Sequence, residues 1–137
     1  MTRSTSALAK ARLGIEILAA YAKVRWSLWR TTLPTVVQTL RAQARRTAAQ
    51  PLTDPDRDGQ RLGRAVMRML ARLPAGSRCL VRSLVLLQVL AWHGVESDLV
   101  IAVRPREELT LDAHAWIEVD GRPLLAAAPD YGRLVTL

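Results

Sequence analysis

Phenylalanine is missing from this chain of 137 residues, and aromatic side chains are scarce: four tryptophans and two tyrosines. The core must therefore be aliphatic, built mostly from Leu, Val and Ala. Cysteine is nearly missing too. Cys79 is the only one, which excludes an internal disulfide and any zinc site made of several cysteines. A lone thiol fits a reducing cytosol, and the cytoplasm is the expected compartment. No uninterrupted apolar run reaches the roughly 18–20 residues a membrane span needs. The apolar stretch after Lys10 and Arg12 is broken by Glu16, Lys23 and Arg25, which argues against a secretory signal. Acidic residues are in the minority, and the net charge is +8, most of it from arginine. Such a surface attracts nucleic acid, anionic lipid or acidic peptide. Yet no basic run is interleaved with aromatic residues as single-strand binders require. An arginine-rich coding bias accounts for the charge, and neither nucleic acid nor a membrane is the expected partner.

What is present divides the chain by period. At 15.2 kDa the sequence suits a single domain, 1–137, with a helical portion and connector over 1–58 and a second portion over 59–137. Residues 1–6 are polar and expected to fray. From Ala7 to about Arg30 the pattern is helical, with Leu8, Leu13, Ile17, Leu18, Tyr21, Val24 and Leu28 as the inward stripe. Pro34 marks a break, and Thr35 to about Arg46 is a second helix. A basic amphipathic helix can lie on a membrane, but in a small chain it more often covers a core. A polar connector over 47–58 leads through Asp58-Gly59 into a third helix, about Gln60–Leu73. Pro74-Ala75-Gly76 breaks the chain, and Ser77 is a plausible N-cap for a helix through Trp92 that is apolar on nearly every side. After Gly94 the period changes. Ser97–Val103 and Ala113–Val119 are expected strands, 104–111 a charged loop, Asp120-Gly121 a hairpin turn, and Pro123–Ala128 the returning strand. Helices first and an antiparallel sheet last make the class α+β, with the apolar helix as its buried centre.

The lone cysteine opens that central helix. Four amides at a helix start have no intrahelical partner; their field favours a thiolate and they offer donors to an oxyanion. Cys79, Arg82 and Ser83 form a polar stripe on an otherwise apolar helix. Arg82 either supports a thiolate, binds a carboxylate, or makes an ordinary ion pair at the rim. A thiol nucleophile needs an imidazole within hydrogen-bond reach. His114 stands between two alanines on a strand and shares a face with Trp116 and Glu118. The other histidine, His93, lies at the far end of the cysteine's own helix, about 20 Å away at 1.5 Å per residue. It is read as a cation at the helix C-terminus.

Cys-Leu-Val-Arg-Ser-Leu at 79–84, followed by His-Ala-Trp-Ile-Glu-Val-Asp-Gly-Arg-Pro-Leu at 114–124, resembles the transglutaminase-like B proteins of lasso peptide biosynthesis over roughly residues 60–137. The resemblance implies a transglutaminase- or papain-like core and a cysteine peptidase that removes the leader from a ribosomal precursor peptide. A separate ATP-dependent cyclase, a further candidate partner, then closes the macrolactam. Cys79 maps onto the nucleophile and His114 onto the base, and neither a metal nor an organic cofactor is implied. Helical segments stand where full-length members carry a leader-binding domain. The split form is therefore expected, with a separate small protein delivering the leader.

The larger papain-like and transglutaminase group adds an Asp on the strand after the histidine, and here the chain departs. If Asp120-Gly121 is a two-residue turn, Val119 pairs with Arg122 and His114 with Ala127. Yet 124–128 reads Leu-Leu-Ala-Ala-Ala. Asp130 is the nearest downstream carboxylate, about 10 Å further along the strand and on the other face. A loop longer by one residue would bring it to the correct face about 7 Å away, a gap that a bulge could close. Asp112 shares the face of His114 and is the reserve, while Asp120 belongs to the turn. The expected catalytic set is Cys79, His114 and Asp130. An acyltransferase using the same pair and a non-catalytic peptide-binding module are the rival readings, with a basic membrane-surface protein third.

Overall fold

The computed structural model describes residues 2–47, 55–72, 79–105, 111–124 and 132–137. Four helices precede four strands: α1 (Thr2–Arg30), α2 (Leu33–Thr47), α3 (Pro55–Leu70), α4 (Cys79–Trp92), β1 (Asp98–Pro105), β2 (Leu111–Val119), β3 (Arg122–Pro123) and β4 (Gly132–Thr136). The class is α+β, as the change of period requires.

Most element boundaries follow local chemistry. α1 already begins at Thr2 instead of fraying to Ala7, because adding residues to an existing helix costs far less than nucleating one. Its C-terminal turn closes through Thr31, whose N–H and hydroxyl both donate to the Ser27 carbonyl. Thr32 then accepts the first bond of α2 from the Val36 amide, and Pro34 sits inside the first turn of that helix, where its missing N–H costs nothing. α3 starts a turn earlier than expected, again with a proline, Pro55, in its first turn. Gly59 is thereby placed within the helix and not ahead of it. A β-carbon there would stand 2.9 Å from Leu124 Cδ1, so the bare backbone lets Leu124 close against α3.

α4 is the centre of the molecule. Leu84, Val85, Leu86, Leu87, Val89 and Leu90 are all buried, because α1, α2 and α3 pack around it and β1 and β2 close the remaining side. The same apolar cluster takes in Ile17 and Val24 of α1, Val36 and Leu40 of α2, and Val66 and Leu70 of α3. One part of the expected α1 stripe is corrected. Ile17 and Val24 face inward, but Leu8 and Leu18 face solvent.

The sheet is antiparallel with order β3-β2-β1-β4. β1 and β2 run in continuous register from Asp98↔Glu118 to Pro105↔Leu111. Asp120 (φ 51°) and Gly121 (φ 76°) form a two-residue turn with both backbones in the left-handed region, so Val119 pairs with Arg122. The returning strand, expected over Pro123–Ala128, is described as Arg122–Pro123, with the Leu124 amide adding one bond to the Ile117 carbonyl; residues 125–128 lie outside the described residues. β4 is an addition. Gly132–Thr136 joins the far edge of β1 past a bulge at Ile101/Ala102, and Leu137 and Leu99 exchange amide and carbonyl bonds of 2.8 Å. Alternation gives the sheet two faces: Leu99, Ala115, Ile117 and Val119 pack on the helices, while Val100, Ala102 and Trp116 form a small cluster of their own.

Candidate active site

Cys79 is the first residue of α4 and is half-buried. A helix start presents amides without intrahelical partners, so whatever lies beside the thiol meets hydrogen-bond donors and the positive end of the helix. The expected cap, Ser77, lies outside the described residues. One turn further on, Ser83 is buried, and its hydroxyl donates to the Ala115 carbonyl at 3.1 Å. That bond ties the cysteine helix to the strand beside His114, so the stripe position that follows the nucleophile candidate holds the base candidate's strand in place.

His114 lies in β2 opposite Ala102. Its ring is 5.9 Å from that of Trp116, and the indole N–H donates to Glu118 Oε1 at 3.0 Å. Trp116 and Glu118 are both buried, so the row from His114 to Glu118 is held from the sheet side. The sequence placed these three on one face; that the second and third form a hydrogen-bonded support for the first appears only with side chains packed.

A cavity of about 210 Å³ lies where helix and strand meet. Cys79, Arg82, Ser83 and His114 are its polar lining, and Met67, Leu86, Ile117 and Leu124 supply apolar walls. Residues of both strand parities, His114 with Trp116 and Ala115 with Ile117, reach it. The cavity lies towards the β2 edge that β3 joins at Glu118 and Val119. Met67 and Leu124 were not legible as site residues, since helical or strand periodicity marks them only as apolar.

The other candidates separate. His93 does not approach this cavity; its Nε2 lies 2.8 Å from Glu16 Oε1 at the opposite end of α4. Asp120 is exposed at the hairpin turn. Asp112 occupies β2 opposite Arg104, two residues before His114. Asp130 lies outside the described residues. Among the described residues no group of His, Cys, Asp and Glu is placed to hold a metal ion.

A half-buried thiol at a helix start and an imidazole on an adjoining strand thus line one cavity in an α+β fold. The chain belongs to the transglutaminase-like superfamily, whose sequence model matches residues 20–136. Members of this superfamily are in general cysteine-dependent enzymes of the protease and acyltransferase type. No curated protein and no solved structure gives a significant match.

The tie between α4 and β2 can be measured. Ser83→Ala should lower stability by about 1–2 kcal/mol, because a buried carbonyl loses its donor. Urea unfolding checks this. A midpoint equal to that of the wild type would show that the bond does not hold the strand.

Proposed function

We propose that this chain is a cysteine peptidase that removes the leader from a ribosomally made lasso precursor peptide. The observation that carries the reading is the presence of Cys79 and His114 on one cavity whose two sides are bonded to each other through Ser83 and Ala115. Membership of a superfamily of cysteine-dependent enzymes agrees with it.

In this mechanism His114 takes the proton of the Cys79 thiol, and the sulfur attacks the carbonyl carbon at the leader–core junction. Helix-start amides at Cys79 and beyond receive the oxyanion. As the C–N bond breaks, His114 gives its proton to the leaving amine, which frees the core peptide and leaves the leader as a thioester on Cys79. His114 then takes a proton from water, whose oxygen attacks the thioester; leader carboxylate and free thiol result. Asp130 is the proposed third member, orienting the imidazole; because the two-residue Asp120-Gly121 turn pairs Val119 with Arg122, this role requires a one-residue bulge after Leu124 to bring Asp130 to the face of His114. A separate leader-binding protein delivers the substrate, and the macrolactam cyclase takes the freed core.

One feature favours a second reading, a non-catalytic peptide-binding module: residues 124–128 read Leu-Leu-Ala-Ala-Ala where a partner acid would be expected. Mass spectrometry of a synthetic precursor incubated with the chain and the leader-binding protein separates the possibilities. The expected products are a leader ending in a free carboxylate and a core with a free amine, formed much more slowly without the delivery protein because effective substrate concentration falls. A leader joined to an added amine would make the chain an acyltransferase. An intact precursor that co-purifies with the chain would make it a binding module.

A further inference from the structure

The large apolar side chains that stand exposed among the described residues are all on α1: Leu8, Ile15, Leu18, Trp26 and Trp29, with Ile15 at 69% and Trp29 at 78% exposure. At 100° per residue they fall within an arc of about 80°. The buried residues Ile17, Ala20 and Val24 occupy the opposite side. α1 therefore has two apolar faces. One covers α4, and the other forms an exposed line about 30 Å long, from Leu8 to Trp29, against which no described element packs.

The borders of that line are cationic. Arg12 and Arg30 flank one side and Arg25 the other, all exposed, while Lys23 reaches back over the Trp92 ring of α4, 5.7 Å from its centroid. The acidic residue of α1, Glu16, points elsewhere, against His93. The Arg30 guanidinium lies over the Trp26 ring, 4.6 Å from its centroid, beside the tilted Trp26–Trp29 pair. An apolar line flanked by basic side chains and with indoles at one end is the pattern of a helix lying in a membrane interface. Apolar residues enter the headgroup boundary, long cations reach back to phosphates, and tryptophan settles at the polar–apolar junction.

We propose that the outer face of α1 docks on an anionic lipid surface. The surface is convex and single-file, suited to a plane and not to insertion of a partner segment. A second copy of the chain would set basic borders against basic borders, which disfavours that occupant. No described helix is long and apolar enough to cross a membrane, so the contact is peripheral. It is independent of the peptidase reading and departs from the expectation that a membrane is not a partner.

Sedimentation with vesicles tests it, using phosphatidylcholine alone and phosphatidylcholine mixed with phosphatidylglycerol. The full chain should bind the anionic vesicles at least about tenfold better than the neutral ones, and less well at high salt. Brominated acyl chains should quench its tryptophan emission. Ile15→Asp with Trp29→Ser should keep the thermal melting of the parent and lose about tenfold or more in vesicle binding. Arg12→Glu with Arg25→Glu, which leaves the apolar line intact, should do the same. Equal binding to both vesicle types, or unchanged binding by both variants, would overturn the proposal. So would a lipid-free dimer, seen by light scattering, that Ile15→Asp dissolves, since the face would then belong to a second copy.

Discussion

Cys79→Ala should abolish leader removal, a loss of at least about 10³-fold in kcat, with far-UV circular dichroism unchanged. His114→Ala should do nearly the same, because residues acting as one unit fail together and not additively. The structural ground is that both line one cavity while neither is part of the fully buried core, so their replacement leaves the packing around α4 in place. Retained cleavage by a folded Cys79→Ala protein would remove the peptidase reading altogether. The acid is tested alongside. A triad acid fixes the tautomer of the imidazole and stabilises its cation, at a cost of up to about 10⁴-fold when lost from serine enzymes. Thiols ionise far more readily than hydroxyls, so cysteine enzymes lean on that help less. Asp130→Asn should therefore slow cleavage by about 10–100-fold, and Asp120→Asn should act mainly through the turn. Full activity in Asp130→Asn with loss in Asp112→Asn would move the role to Asp112. Activity in all three variants would mean a Cys–His dyad.

Leu84→Ala should be the most damaging of the simple truncations in the core, at about 2–5 kcal/mol. Leu84 is fully buried on the helix that every other layer packs against. Deleting its branch opens a cavity that three helices and a sheet cannot jointly collapse. Against a typical total of about 5–15 kcal/mol, the melting temperature should fall by roughly 10 °C. A sharper comparison uses neighbours on α1. Ile17→Ala should cost about 2–4 kcal/mol and Leu18→Ala less than about 1, since Ile17 is buried while Leu18 is 45% exposed. Chemical denaturation of the pair, without lipid, reads this directly. Equal costs would mean that α1 presents a different face to α4.

Much of this fold was legible because its signals are local. The apolar run of α4, the Asp120-Gly121 turn and the alternation in Ala113–Val119 each depend on residues within a few positions of one another. The positions of Cys79 and His114 on their elements were legible for the same reason. α1 misled because Leu8 and Leu18 recur at helical spacing with the inward residues; periodicity reports that a face is apolar, not what covers it. β4 was missed because Gly132–Thr136 is a short edge strand whose partner, β1, lies some thirty residues back in the chain. Gly59 looked like a helix boundary by propensity, whereas close contact with Leu124 explains it.

The sequence by itself determined the class, the central place of α4 and the two residues worth testing as nucleophile and base. Those follow from short-range stereochemistry and from which side chains can do the chemistry. Only the tertiary structure decided that the Cys79 helix and the His114 strand share a cavity, that Ser83 bonds them together, and that Trp116 and Glu118 stand behind the imidazole. It also decided that α1 keeps a second apolar face in solvent. These are contacts between residues distant in the chain, set by how layers pack once the core has closed, and no window along the sequence contains both partners.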